Sequence, residues 1–425
     1  MVANRRIEDA TLRQRVDLQR FASHEVGAIL SILEDADKEL SMMLRKELAG
    51  GISADIRTKR MQALLRSVRE QRHEAMVTLR GRIRSDLVDL AGVEAQKAAD
   101  TVQSAIPVYL KMATVPRETL RSLVSTQPFA TGPNAASTLN DWFKRLEAAD
   151  AQRLTQSIQM GVVQGEPIDA IVRRVAGTRA RGFQDGALSI TRRNADAAVR
   201  TAVNNISNRA REDVWEQNRD IIQLLRVTAT LDGRTTPVCQ AADGKYILIN
   251  PEAKLPPGGE LLEPQSARPG FHVGCRTTTV PLVDPDLLAE NLPERPEVTD
   301  SRTRREREID FRADAKADVS AEEWSGMSVE QRRAAISAKK RDWTARNVGQ
   351  VPGRTTYGEW IQRQPVELQN EVLGVRRARL MRAGELPIDR FVDKRGAKMS
   401  LAELAAREPD AFLKAGLDPE QPLAG

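Results

Sequence analysis

Both cysteines of this 425-residue chain and one of its three histidines fall between Asp232 and Arg276. The stretch reads Asp232-Gly233-Arg234-Thr235-Thr236-Pro237-Val238-Cys239, then Ala242-Asp243-Gly244-Lys245, and closes on Phe271-His272-Val273-Gly274-Cys275-Arg276. His272 and Cys275 stand three apart, the spacing of a zinc knuckle, with Cys239 well upstream. A structural zinc takes four ligands, and the partner of Cys239 is normally a second Cys in a Cys-x-x-Cys pair. Thr236 holds that place and is no zinc ligand, so Asp232 or Asp243 would have to complete the shell. Three readings follow. The missing fourth ligand favours a cluster held by packing and hydrogen bonds without metal or other cofactor. The others are zinc on Cys239, His272 and Cys275, and a Cys239–Cys275 disulfide formed after lysis.

The same inventory has a catalytic reading. Cys with His and Asp equips a thiol hydrolase, and Cys-His-Asp around an open zinc position equips a metallohydrolase acting on nucleic acid or cell wall. No Gly-rich phosphate loop or paired-carboxylate motif accompanies them. Asp232-Gly233 and Asp243-Gly244 are first of all turn formers, with Gly supplying positive φ. Arg234 and Arg276 are suited to fasten those turns through bidentate pairs with Asp232 or Asp243. The expectation is a structural cluster of Asp232, Arg234, Cys239, Asp243, His272, Cys275 and Arg276, with no catalytic residue and no enzymatic activity.

The elements that position this cluster read as predominantly α with a small α+β module. Apolar residues recur at helical spacing from Ile7 to Leu48 (Leu12, Val16, Val26, Ile29, Leu33, Leu40, Leu44), and again at Met61, Leu64, Leu65, Val68, Met76, Leu79, Ile83 and Leu87. Gly50-Gly51 and an N-cap at Ser53 join the two as a long helical hairpin over 1–105, each arm on the order of 50 to 60 Å. A linker over 106–136 is punctuated by Pro107, Pro116 and Pro128. From 137 to 290 the spacing predicts helices through Trp142 to Met160, Ile168 to Val175 and Leu188 to Asn218, then short strands over 221–231, 245–249 and 277–283. A Pro/Gly-rich loop over 251–269 separates the last two strands. A charged linker with a helical piece at Val329–Lys340 spans 291–350. A helical tail over 351–425 includes Tyr357–Leu373 and a piece near Leu401. His24 and His73, on the hairpin, have no second ligand at matching spacing and read as surface residues.

Composition narrows the class. Aromatics are 4% and charged residues 29%, which suits elongated helices with narrow apolar stripes better than a large enzyme core. The 65 basic and 59 acidic residues give a net charge of +6, closely intermixed. Such a surplus permits weak, salt-sensitive contact with duplex DNA, for which Arg302, Arg304, Arg305 and Arg307 are candidates. No run is long and apolar enough to cross a membrane, and the first residues lack the apolar core of a secretory signal. Two cysteines suit a protein made in a reducing cytosol.

The order of motifs resembles the phage head morphogenesis family, the Mu F-like minor head proteins, over about Leu154 to Leu282. It has Gly161-x-x-x-Gly165 ahead of a short helix, Arg200-Thr201-Ala202-Val203-Asn204 and Asn208-Arg209-Ala210-Arg211 on a long helix, and then a strand. Asp232-x-Arg234-Thr235, Cys239, Asp243-Gly244, a Pro-rich loop and His272-x-x-Cys275-Arg276 follow. The tail segments Tyr357-Gly358-Glu359-Trp360-Ile361 and Asp389-Arg390-Phe391-Val392-Asp393 are similar to tails of the same proteins. Thr236 in place of a second Cys, Gly270-Phe271-His272 where a Pro-x-His is usual, and Ala202 in place of an acid depart from the pattern. The resemblance implies a minor capsid protein of a tailed bacteriophage virion, at the portal vertex or capsid interior. Its implied partners are the portal, major capsid and scaffold proteins, and its role is in head assembly and DNA packaging or ejection. Two helices alone hide only one seam, so a wider hairpin stripe must be covered by the rest of the chain, a second copy, or the portal and shell.

Overall fold

The computed structural model describes residues 2–49, 57–105, 112–132, 135–264, 267–283, 295–302, 304–352, 355–393 and 397–422. The fold is predominantly helical with short strands in small sheets, and no helix among the described residues is long and apolar enough to cross a membrane. Internal contacts group the chain into a helical unit, Ala10–Asn218 with Pro269–Cys275, and a mixed unit of Met1–Asp9, Arg219–Arg268 and Arg276–Gly425.

In the helical unit the periodic stripes become α1 (Val2–Ala49) and α2 (Arg57–Ala105). The turn expected at Gly50-Gly51 and Ser53 lies outside the described residues. Leu18, Ala22, Val26, Ile29, Leu33, Leu40 and Leu44 are buried, following a period near 3.6. Val16 does not belong to this stripe: it is 52% exposed, because two residues before Leu18 on a helix is the far side. Next come α3 (Arg117–Thr126), inside the stretch expected as linker, and a two-stranded ribbon of β1 (Phe129–Gly132) and β2 (Ala135–Ser137) that crosses its end.

Thr138 caps α4 (Leu139–Val163) by accepting from the Asp141 amide at 3.3 Å. Pro167 precedes α5 (Ile168–Ala176), and Gly177, at φ +90°, ends it. The long helix α6 (Ala187–Gln217) buries Ala195, Ala198, Ala202 and Ala210, small residues that let it lie close along α2. Leu40, Leu44, Leu64, Leu65 and Val68 of the hairpin share one core with Leu154 and Ile158 of α4, Ile171, Val172 and Val175 of α5, and Leu188 of α6. The hairpin stripes are thus covered there by the rest of their own unit.

Asp213 on α6 supplies a pH test. Burial first, then the Glu216 carboxylate, push its carboxyl from 3.8 up to about 6, with Arg209 opposing. The folded state therefore holds a proton between about pH 4 and 6 that the unfolded chain has released, and stability falls as pH rises through that window. Asp213→Asn is expected to flatten this fall and to raise the melting temperature at pH 7 by roughly 1–3 °C. An unchanged or lower value in calorimetry at pH 7 counts against it.

In the mixed unit β3 (Leu224–Thr228) ends before Ala229 and Thr230, and β4 (Leu231–Asp232) resumes where one strand is expected. A short helix, α7 (Pro237–Ala242), carries Cys239, followed by β5 (Tyr246–Leu248) and β6 (Thr278–Leu282). β3 is the central strand of an antiparallel sheet ordered β5-β3-β6, with Arg226 facing Val280 on one side and Tyr246 on the other. Every residue of β3 is buried, and Arg226 pairs with Glu8 at 3.4 Å.

From Arg295 onward the described residues form strands and helices where a charged linker with one helical piece is expected. β7 (Arg295–Val298) pairs parallel with β4, and, after α8 (Arg304–Ala317), α9 (Ala321–Gly326) and α10 (Val329–Asn347), antiparallel with β8 (Val348–Val351). Tyr357–Leu373 is two helices, α11 (Tyr357–Gln362) and α12 (Val366–Leu373). Pro365 lacks the amide a continuous helix needs. α13 (Val375–Arg382), α14 (Leu401–Arg407) and α15 (Pro409–Lys414) complete the tail. Tyr357, Trp360, Ile361, Leu380, Phe391, Leu404 and Phe412 pack with Leu231 in a single core.

Candidate functional site

The mixed unit holds Asp232, Arg234, Cys239, Asp243 and Arg276; the helical unit holds His272 and Cys275. In the mixed unit the turn after β4 is built on Asp232. Its carboxylate accepts a two-pronged pair from Arg276, Nη1 to Oδ2 at 2.6 Å and Nη2 to Oδ1 at 2.7 Å, and the Arg234 amide at 3.1 Å. Burial alone would raise this carboxyl, but the Arg276 hydrogen bonds and charge outweigh it and hold the group below its usual range. Arg276 is therefore the fastening arginine. Arg234 contributes its backbone amide, and burial, then the like charge of Arg276, lowers its guanidinium below the usual range.

Asp243 binds two backbone amides. Its Oδ1 accepts the Ala229 amide at 2.6 Å and its Oδ2 the Tyr357 amide at 2.9 Å, so it ties the β3–β4 junction to the first turn of α11. The Tyr357 hydroxyl donates to the Asp232 carbonyl at 3.0 Å, and burial pushes this phenol upward. The tail motif that begins at Tyr357 thus braces both aspartate turns. Of the two Asp-Gly pairs, only Gly244 has positive φ, +81°. Gly233 is required for space: a Cβ there would lie 2.7 Å from the Ser301 Cβ and 3.1 Å from a Val372 methyl.

In the helical unit, segment 269–275 is fastened to α6. Gly274 donates its amide to the Thr201 hydroxyl at 2.8 Å, and Gly270, at φ +115°, is so close to Asn205 that a Cβ would lie 2.2 Å from its Oδ1. Thr201 in turn donates to the Ala197 carbonyl at 2.6 Å, and the Asn205 side-chain amide to the Thr201 carbonyl at 3.0 Å. Two motifs far apart in sequence, around Arg200-Thr201 and His272-x-x-Cys275, therefore meet.

The Cys275 amide donates to the His272 carbonyl at 3.1 Å, and the resulting turn brings a ring nitrogen of His272 and Cys275 Sγ within 4.8 Å of each other. His272 Nδ1 lies 2.9 Å from the Val273 carbonyl; donation there leaves the lone pair on Nε2. This is the pair of a zinc knuckle. Cys239, the third candidate donor, sits on α7 in the other unit. Thr236, one turn earlier, caps α7 by position only and makes no side-chain capping bond. Both cysteines are buried, and neither is in a disulfide.

Among the DNA-contact candidates, Arg302 is held by Asp300 and Asp310, each at 2.7 Å, and Arg307 lies 4.5 Å over the Trp343 ring. Trp343 Nε1 donates to Asp300 at 2.5 Å; burial would raise the Asp300 carboxyl, but these bonds hold it at about 2. Arg305 is exposed, and the side chain of Arg304 lies outside the described residues. His24 is exposed, and His73, also exposed, pairs with Glu147 at 2.5 Å.

Sequence reasoning missed Tyr357, Thr201 and Asn205 as parts of these clamps. Tyr357 and Thr201 carried no signal beyond membership of the resemblance motifs, and Asn205 lies outside those motifs. Compared with protein-family models, curated proteins and solved structures, the chain matches none.

Proposed function

We propose that this chain is a minor head protein of a tailed bacteriophage, a structural component at the portal or inner shell that assists head assembly and DNA packaging or ejection. One observation carries the reading. Asp232, Asp243, Thr201 and the Gly270–Cys275 turn are engaged in holding chain segments together. A carboxylate locked to Arg276 and held ionised is a poor general base, and a buried thiol is poorly placed as a nucleophile. These are also the residues on which the family resemblance rests, so the motif would serve folding rather than turnover. The His272–Cys275 turn belongs to the same account as a staple without metal.

The test is quantitative protein analysis of purified heads from the phage that encodes the chain. A few copies per head, bound to portal, are expected; heads that lack the protein refute the reading. Elemental analysis of the purified protein addresses the staple. No stoichiometric zinc is expected, and one zinc per chain that disappears in His272→Ala would reverse that part.

A further inference from the structure

One basic segment keeps most of its arginines exposed. Residues 173–193 carry Arg173, Arg174, Arg179, Arg181, Arg192 and Arg193 against a single acid, Asp185. Arg174 pairs with Glu166, and Arg192 with Asp37 at 3.1 Å. Arg173, Arg179, Arg181 and Arg193 are exposed and form no ion pair among the described residues. This contrasts with Arg302 and Arg307, which are committed to internal partners.

The same segment holds out an aromatic ring. Phe183 is 46% exposed and stands at φ +57°, a left-handed conformation that favours glycine and is uncommon for an aromatic residue. The loop that imposes it is pinched shut at its base, where Gly186 approaches Gly177 so closely that a Cβ would lie 2.2 Å from the Gly177 nitrogen. Within it Thr178 donates its amide and hydroxyl to Asp185 at 2.7 and 2.8 Å, and the Phe183 amide donates to the Thr178 carbonyl at 2.8 Å. Arg192 donates to the Phe183 carbonyl at 2.9 Å. The one acid of the segment is thus used internally. Beside the loop a groove of about 440 Å³ runs between α4 and the start of α6, with Arg153, Arg174 and Arg193 on its walls and Met160 and Ile190 exposed at its surface.

We infer that the 177–193 loop and this groove bind single-stranded nucleic acid, with Phe183 as a stacking platform and Arg179, Arg181 and Arg193 on the phosphates. Guanidinium forks match phosphate oxygens, and a rigid exposed ring offers every base a face to stack on. An anionic membrane would call for a broader apolar face than one ring and two aliphatic side chains. An acidic protein would satisfy the arginines but gives no reason to hold a ring in a strained backbone. Such binding requires only this loop and groove, whether or not the chain is a head protein.

The experiment uses the full chain, a fluorescent oligothymidylate and a duplex of equal length, titrated by anisotropy across a salt series. The single strand is expected to bind more tightly than the duplex. Phe183→Gly keeps the positive φ without strain and is expected to weaken single-strand binding by roughly 5- to 100-fold, leaving the salt slope unchanged. Phe183→Tyr is expected to bind like the native protein. The double variant Arg179→Ala/Arg181→Ala is expected to lower the log–log salt slope by about 0.7 for each phosphate it no longer neutralises, whereas Arg305→Ala leaves the slope in place. Circular dichroism melts confirm that each variant folds. The inference is overturned if the native chain binds no oligonucleotide, if Phe183→Gly binds as well as native, or if anionic vesicles are bound through the same residues and oligothymidylate is not.

Discussion

Arg72→Met is expected to lower the melting temperature of the helical unit by roughly 10 °C. The Arg72 side chain is 1% exposed and sits between two carboxylates, Nη1 to Asp37 Oδ1 and Nε to Asp150 Oδ2, both at 2.7 Å. Asp150 also accepts from the Thr191 hydroxyl, and Asp37 from Arg192 at 3.1 Å. One guanidinium therefore joins α1, α2 and α4, and through its carboxylates α6. Removing it leaves Asp150 buried without a counter-charge, and breaking such a buried pair costs about 3–5 kcal/mol. For a unit of this size each kcal/mol moves the midpoint by about 2–4 °C. Arg72→Lys should recover little, because an ammonium cannot replace the planar fork that reaches two carboxylates. Replacing the acids as well, Arg72→Met with Asp37→Leu and Asp150→Leu, should recover most of the loss by removing the stranded charges. Calorimetry of these variants decides the matter; a single Arg72→Met variant within about 2 °C of native means the network is not fully desolvated.

Trp360→Ala is the corresponding change in the mixed unit, with an expected cost of about 3–5 kcal/mol. Trp360 is fully buried, packs edge-on against Tyr357 with ring centroids 5.0 Å apart, and donates Nε1 to Glu297 at 2.5 Å. Its loss opens a cavity in the core shared with Leu231 and releases the tail from the turns that Tyr357 braces. Trp360→Phe keeps most of the volume and isolates the hydrogen bond, so its smaller loss should come from Glu297 left with a weaker donor, Gln364 at 3.4 Å. Denaturant unfolding followed by circular dichroism measures both. Equal stability of Trp360→Ala and native protein would show that the tail contributes nothing to this core.

The sequence by itself determined the long helices α1, α2, α4 and α6 and the short α5, because such a helix is encoded by neighbours three and four residues apart and by its caps. Thr138, Pro167 and Gly177 bound α4 and α5 as their residue types require, and the alanine stripe of α6 announced close packing. It also located the chemistry: the Asp232–Arg276 pair and the His272–Cys275 turn lie within the stretch where the unusual residues cluster. Tertiary structure decided the pairings. Whether Arg234 or Arg276 reached Asp232, and that Asp243 would take two backbone amides, depended on how loops closed between residues far apart in the chain. β7 and β8 are short, with no clear apolar alternation to read, and β8 is a strand because β7, itself paired with β4, supplies its hydrogen bonds. Arg72, Asp37 and Asp150 look like ordinary helix-surface charges in sequence, since burial becomes visible only when three helices meet. The arginines of 173–193 were countable from the start, but which basic residues remain free is settled by the acids that packing brings beside them.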